Sequence, residues 1–203
     1  MSTPSPVPPI VAAVSPFLLF NQWFKEAQGH EPGLPEAMSL ATATAEGRPS
    51  LRMVLLKDAT TDGFVFYSNA QSRKGQEISA NPWAAICLYW KSLGRQVRAE
   101  GRLSEVDAAT SDRYFESRPR ASQISAWASD QSRVIPDRAT LMARFAEFEK
   151  KFSGRDVPRP PHWIGYRLTP DLIEFWQDVP DRMHDRLIYR RTGVEWRTER
   201  LAP

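Results

Sequence analysis

The sequence has a single cysteine, Cys87, in 203 residues. An internal disulfide is excluded, and this cysteine usage fits a reducing, cytoplasmic setting. Cys87 lies in the apolar run AAICLYW and reads as a buried, inert thiol. The three histidines, His30, His162 and His184, stand far apart, and neither HxxxH nor CxxC occurs, so no metal site is expected. No run of 18 apolar residues is present, which argues against a membrane span. GxGxxG, GxxxxGK and GxSxG are all missing. Rossmann and P-loop cradles and the serine nucleophile elbow are therefore not expected. Any phosphorylated ligand must be held by side chains.

Lysine is also scarce, at 6 against 21 arginines, and the net charge is only +3. That balance is a weak case for nucleic acid, and no nucleic-acid partner is expected. Arginine presents a planar fork of donors that matches phosphate and carboxylate oxygens. Discrete anion sites on a balanced surface would explain the count, and so would the codon bias of a GC-rich genome.

Hydrophobic residues make up 41% of the chain, ordinary for a globular protein with one sizeable core. Residues 1–15, rich in Pro and Ser, read as a flexible leader. The leader has no basic n-region and is broken by Pro9, which argues against a secretory signal. Phe17, Phe20, Trp23 and Phe24 recur at helical spacing and predict a helix ending near Gly29. Strand-like runs follow: AMSLATAT, SLRMVLLK, FVFYSN, WAAICLYW and RQVRAEGRL, with DATTDG read as a turn. Ser104 and Asp107 suggest a capping box opening a helix through Arg118. Pro119 suits the start of a second helix, and 137–152 predicts a third. WIGYRLT, LIEFWQ, RLIYRR and VEWRTERL return to strands. Strands, then helices, then strands is not βαβ alternation. It predicts an α+β protein, mainly antiparallel, with helices laid outside a sheet or barrel as one domain over 16–203.

Four polar clusters stand on or beside these strands. In RMVLLK, Arg52 and Lys57 face opposite sides of a regular strand by their odd spacing, unless the strand ends and Lys57 turns. In YSNAQSRK, Ser72, Arg73 and Lys74 open a short helix, whose free backbone donors and cations suit a phosphate. In RYFESRPRASQ, Tyr114, Arg118 and Ser122 are spaced four and four, a donor set fit for a phosphate monoester. In EFWQ and RMHDR, Arg182, His184 and Arg186 alternate along an expected strand near Trp176. That row repels itself unless something anionic or electron-rich faces it. Solvated rims, a helix cap or plain core would explain each cluster taken singly.

Taken together and in order, these motifs resemble the pyridoxamine 5′-phosphate oxidase family, flavin enzymes that make pyridoxal 5′-phosphate. The resemblance rests on RMVLLK, FYSNAQSRK, GRQV, YFESRPRASQ, Gln131–Ser132, IEFWQ, RMHDR and the terminal RLAP, and spans roughly 38–203. It implies an FMN-binding split β-barrel with peripheral helices, forming a homodimer with FMN in the cleft between subunits. By motif, the FMN phosphate would meet Arg52, Arg73, Lys74 and Ser132. Met53, Val54, Leu55, Leu56 and Lys57, with Tyr67 and Ser68, would line the flavin. Gln96, Gln131, Trp176 and Arg186 would touch its ring or ribityl chain. Lys57, Tyr114, Arg118 and Ser122 would hold the substrate phosphate, with Arg182 and His184 nearest the chemistry, over the pyridine ring.

The implied reaction is oxidation of pyridoxamine or pyridoxine 5′-phosphate at C4′, with hydride passing to flavin N5 and O₂ reduced to H₂O₂. The leader before Pro16 lacks the Arg, Lys and Tyr that family members often use to cover the site. Two alternatives are a flavin oxidase of phenazine-type biosynthesis acting on a dihydrophenazine, and a non-catalytic FMN or pyridoxal phosphate binder. Retention of Tyr114, Arg118 and Ser122 argues against the first, and intact Arg182 and His184 argue against the second.

Overall fold

Helix α1 (Pro16–His30) forms where Ser15 caps the chain, accepting from Phe17 N, and where Pro16 needs no donor. Its apolar stripe meets the sheet edge-on: Phe20 against Phe64 at 5.0 Å and Trp23 against Phe175 at 5.2 Å. Phe20 is fully buried. The structure, a computed structural model, describes residues 7–203.

Among the described residues nine strands form one antiparallel sheet. In chain order they are β1 (Ala37–Ala43), β2 (Pro49–Leu55), β3 (Asp58–Thr60), β4 (Gly63–Asn69), β5 (Trp83–Trp90), β6 (Arg95–Glu105), β7 (Trp163–Gln177), β8 (Asp185–Thr192) and β9 (Glu195–Arg200). The spatial order is β2-β1-β5-β6-β7-β4-β3, with β8 on β7 and β9 on β8. Alternation in β1, with every second residue buried, puts Met38 and Leu40 into the core.

The segments WIGYRLT and LIEFWQ, read separately from sequence, are one strand, β7. Its first half pairs with β4 and its second with β8, while β6 runs along both. The sheet curls where β6 and β7 slip register at Glu100/Gly101, opposite Pro170. A Cβ on Gly101 would lie 2.1 Å from Thr169 O, so only glycine allows this approach.

Helices lie outside the curl: α2 (Arg73–Ala80), α3 (Ala108–Glu116), α4 (Arg120–Ala128) and α5 (Arg138–Lys151). Phe115, Ile124, Phe152, Val157 and Trp163 form a second apolar cluster under α3–α5.

Three local expectations are corrected. DATTDG contains β3, which pairs with β4. Ser104 lies in β6; the cap of α3 is Asp107, whose side chain accepts from Thr110 N. RMHDR is not a strand throughout: Pro180–Arg182 forms a 3₁₀ turn with Asp181 and Arg182 at positive φ, and β8 begins at Asp185. Pro180 has no N–H to give a ladder, so the chain turns first and pairs afterwards. Arg182, His184 and Arg186 therefore do not share one strand face.

The leader expected over residues 1–15 lies partly outside the described residues. Within them, Ile10 is buried, and its N–H donates to Asp185 Oδ2 at 2.6 Å. Ala13 exchanges two hydrogen bonds with the Tyr189 hydroxyl, at 2.8 and 3.0 Å.

A cationic cleft as candidate active site

The turn between β4 and α2 is built by side chains that satisfy local backbone groups. Asn69 Oδ1 accepts from Gln71 N, and Ser72 Oγ donates to Asn69 O and caps Gly75 N. Gly75 packs so closely that a Cβ would lie 2.1 Å from Ala70 O. Lys74 is thereby held inward, 7% exposed. Its Nζ donates to Gln131 Oε1 at 2.7 Å, Ser68 Oγ at 3.1 Å and Ser72 Oγ at 3.3 Å, all neutral acceptors. Burial, then the positive charge of Arg52, pull its pKa down to about 8; Glu77 opposes them in part.

Arg52, on β2, donates through Nη1 to Leu40 O at 3.1 Å and Thr42 Oγ1 at 2.5 Å. Its Nη2 meets Glu77 Oε2 at 3.2 Å, and Arg73 Nε meets Glu77 Oε1 at 2.9 Å. Strand β2 ends at Leu55, so Lys57 is free of strand parity and turns into the same cleft as Arg52.

On the opposite wall, the rings of Tyr67, Tyr114 and Trp163 lie nearly parallel, Tyr67 being 4.1 Å from Tyr114 and 5.0 Å from Trp163, and those two 6.1 Å apart. The Arg118 guanidinium lies over Trp163 at 4.8 Å. Burial lowers its pKa, and Nη1 is buried with no hydrogen-bond partner among the described residues. An orphaned buried guanidinium nitrogen is costly unless an anion meets it. The α3–α4 turn at Pro119 brings Tyr114, Arg118 and Ser122 to one cleft, as their spacing suggests.

The cleft has a volume of about 830 Å³. Among the described residues its lining includes five cations, Arg52, Lys57, Arg73, Lys74 and Arg118, and no carboxylate. Met53, Val54, Leu55, Tyr67, Ser68, Gln131 and Ser132 also line it. Leu56 does not: it is 4% exposed within the main core. Anions of high charge are the ligands such a cavity selects.

The remaining predicted residues lie elsewhere. Gln96, Trp176 and Arg186 line a second recess of about 370 Å³, with Arg98, Glu174 and Pro203. Glu174, 1% exposed, accepts from Arg98 Nε at 2.6 Å and Arg186 Nε at 2.7 Å. Burial pushes its pKa up, but the two arginines outweigh that and hold it below the usual value. His184 packs on Trp176 at 4.7 Å, and its Nδ1 lies 3.0 Å from Asp178 Oδ1. Arg182 is exposed on the 3₁₀ turn.

Cleft and recess share no residue. Register places Met53 of the cleft and Glu174 of the recess on one face of the sheet, along the row Met53–Ser39–Cys87–Arg98–Glu174. Four strand spacings separate the ends of that row, roughly 19 Å at ~4.8 Å each. The same face exposes Leu51 and Met53 at the cleft and Tyr89 beside Gln96 of the recess, each more than half accessible.

Sequence reasoning missed Glu77, Glu174 and Trp163. Glu77 stands four residues after Arg73, the spacing of a helical ion pair. Glu174 is a lone acid inside the apolar run LIEFW, which demands a buried cationic partner. Trp163 carried no such signal; it reads as ordinary core until its ring is seen under Arg118.

Residues 29–152 match the family model described as pyridoxamine 5′-phosphate oxidase, and 163–203 match the pyridoxine 5′-phosphate oxidase C-terminal dimerisation region. A pyridoxine/pyridoxamine 5′-phosphate oxidase of Sphingopyxis alaskensis is 57% identical over 93% of this chain and 87% of its own. One of Caulobacter vibrioides is 54% identical over 97% and 88%. Among solved structures, PhzG from Burkholderia lata 383, in complex with tetrahydrophenazine-1-carboxylic acid, is 35% identical. It covers 94% of each chain with a TM-score of 0.88. A pyridoxamine 5′-phosphate oxidase-related, FMN binding protein from Nostoc punctiforme is 18% identical at a TM-score of 0.74, covering 95% and 100%, and shares the fold. The curled antiparallel sheet with outer helices is the split barrel of these proteins.

Proposed function

We propose, because the chain belongs to the pyridoxamine 5′-phosphate oxidase family, that it oxidises pyridoxamine 5′-phosphate or pyridoxine 5′-phosphate to pyridoxal 5′-phosphate with FMN as cofactor. The observation that carries this reading is the 830 Å³ cleft with five cations and no carboxylate. Two phosphates would balance it, and two separate groups of donors are there to take them.

The residues present fit FMN. Lys74 is a buried ammonium with only neutral acceptors, and Arg73 stands beside it at the α2 N-terminus. With Arg52 and Ser132 they would hold the FMN phosphate. Met53–Leu55 and Tyr67–Ser68 would line the ring system, and Gln131 ties Lys74 to that wall. Lys57, Tyr114, Arg118 and Ser122 would hold the substrate phosphate, the orphaned Arg118 Nη1 being the donor that gains most. FMN, when bound, supplies the two-electron acceptor for oxidation at C4′ and the route from there to O₂. The protein's part is to hold two phosphates so that the two rings meet. Such alignment is worth up to ~7–11 kcal/mol in well-oriented reactions.

Gln96, Trp176 and Arg186, in the recess, would reach the cofactor from a second copy, and Arg182 and His184 would reach the pyridine ring. A homodimer explains why cleft and recess lie about four strand spacings apart across the sheet. The match of residues 163–203 to a dimerisation region supports it.

The solved structure with tetrahydrophenazine-1-carboxylic acid favours one second reading, a flavin oxidase acting on a dihydrophenazine. Tyr114, Arg118 and Ser122 on one cleft wall weigh toward a phosphorylated substrate. Anaerobic addition of pyridoxine 5′-phosphate to the yellow protein is the test. Loss of the flavin absorbance within seconds, with H₂O₂ on readmitting air, is expected. A flavin that stays oxidised with both B6 phosphates but bleaches with a dihydrophenazine would establish the second reading. A flavin that responds to neither would leave only a carrier.

A further inference from the structure

Among the described residues two carboxylates of glutamate are buried, Glu77 and Glu174, and each holds a pair of arginines. Glu77 does not line the cleft. Four donors from three elements converge on it: Thr42 Oγ1 of β1 at 2.5 Å, Ser50 Oγ of β2 at 2.5 Å, Arg52 of β2 at 3.2 Å and Arg73 of α2 at 2.9 Å. Burial alone would raise its pKa. The hydrogen bonds from Ser50, Thr42, Arg73 and Arg52 overcome that and bring it to about 2, so it is ionised at any working pH.

A scaffold that only fastened α2 to β1 would be served as well by apolar side chains, without the cost of burying charge. What Glu77 adds is direction. It grips Arg73 by Nε, and both terminal nitrogens of Arg73 make no hydrogen bond among the described residues. The fork is left open on the cleft side of α2. The same carboxylate fixes Nη2 of Arg52, which comes from a strand 25 residues earlier.

We propose that Glu77 is a positioning residue for phosphate recognition: one buried carboxylate that sets Arg52 and Arg73 in register, so that the pair distinguishes FMN from unphosphorylated riboflavin. The inference rests on the reading above that these arginines meet the FMN phosphate. An arginine held in advance loses less freedom on binding, and its hydrogen bonds to a dianion are correspondingly more effective.

The test is the affinity of the full-length apoprotein for FMN and for riboflavin, each by quenching of flavin fluorescence, in wild type and Glu77→Gln. The glutamine is isosteric and keeps the site's shape. The wild type should prefer FMN; Glu77→Gln should bind FMN about 10-fold more weakly, with riboflavin affinity within about twofold of wild type. An unchanged FMN-to-riboflavin ratio, or an equal loss for both, overturns the proposal, since a purely structural residue would affect both flavins alike. A wild type with no preference for FMN overturns the phosphate assignment itself, a distinguishable failure. Should Glu77→Gln not fold, Thr42→Val removes one donor to the carboxylate, together with the acceptor of Arg52 Nη1, and leaves every charge in place. It should lower the ratio by about threefold, and an unchanged ratio there is equally decisive.

Discussion

The Nζ of Lys74 reaches Gln131 Oε1 across 2.7 Å of space and 57 residues of chain. Among the described residues, a neutral amide, two hydroxyls and no carboxylate are all that this buried ammonium finds. Its pKa of about 8 follows from burial first and from the neighbouring Arg52 second. Two opposite pH dependences result. The unfolded chain keeps the proton up to about 10.5 and the folded chain releases it near 8, so this group's contribution to apoprotein stability rises with pH between those values. Phosphate affinity runs the other way: FMN binding should weaken above pH 8, by up to about tenfold per pH unit. Fluorescence titrations at a series of pH values check this. Lys74→Met should flatten the profile, and a wild-type profile already flat to pH 10 would exclude Lys74 from the phosphate seat.

Arg118→Ala should separate the two phosphate groups. The residue rests on Trp163 and presents a buried Nη1 without a hydrogen-bond partner among the described residues. Removing one charged partner of a dianion should raise KM for the phosphorylated substrate by roughly 10- to 100-fold, with bound FMN per chain unchanged. Steady-state kinetics and the flavin-to-protein absorbance ratio measure both. Loss of FMN in this variant would mean that the two phosphates have been assigned the wrong way round.

Glu174→Ala should destabilise the fold by about 2 kcal/mol at neutral pH, below the ~3–5 kcal/mol of a fully buried pair, because Arg98 and Arg186 keep access to water. Urea unfolding measures it. Burial raises this acid's pKa, yet the arginines bring it below 4.5, so its contribution is present above that value and is lost as pH falls beneath it. The gap between wild type and Glu174→Ala should therefore narrow in acid. A constant gap would mean that packing, not charge, is what the glutamate contributes.

Tyr89→Glu should dissociate the proposed dimer. The ring is 55% exposed and stands beside Gln96 of the recess in cross-strand register. A charge placed in an apolar interface is costly for association and mild for an isolated chain. Sedimentation velocity should show a monomer, and FMN retention should fall with it, because cleft and recess would no longer meet. A folded monomer that keeps its full flavin would place the whole cofactor site in one chain.

Much of this arrangement is legible in the sequence. Period-two alternation in AMSLATAT and the 3.6-residue stripe of Phe17, Phe20 and Trp23 are local physics, and the elements stand where those periods put them. Tyr114, Arg118 and Ser122 could be grouped from their spacing, since a helix, a proline and a second helix constrain the path closely. RMHDR misled because alternation is only half of a strand's signature. A donor-free proline and two residues at positive φ break the ladder before Asp185 can begin it.

What the sequence by itself determined is the inventory: an antiparallel α+β chain without metal or nucleotide-loop motifs, whose cations had to be the ligand donors. Only the tertiary structure decided which cations work together. It turned Lys57 into the cleft of Arg52, sent Leu56 to the core, and carried Gln96, Trp176 and Arg186 to a recess of their own. It also set one buried glutamate behind each pair of arginines. The reason is physical: periodicity is a property of neighbours in the chain, whereas the partner of a buried charge is chosen by strand register and sheet curl, which bring together residues far apart in sequence.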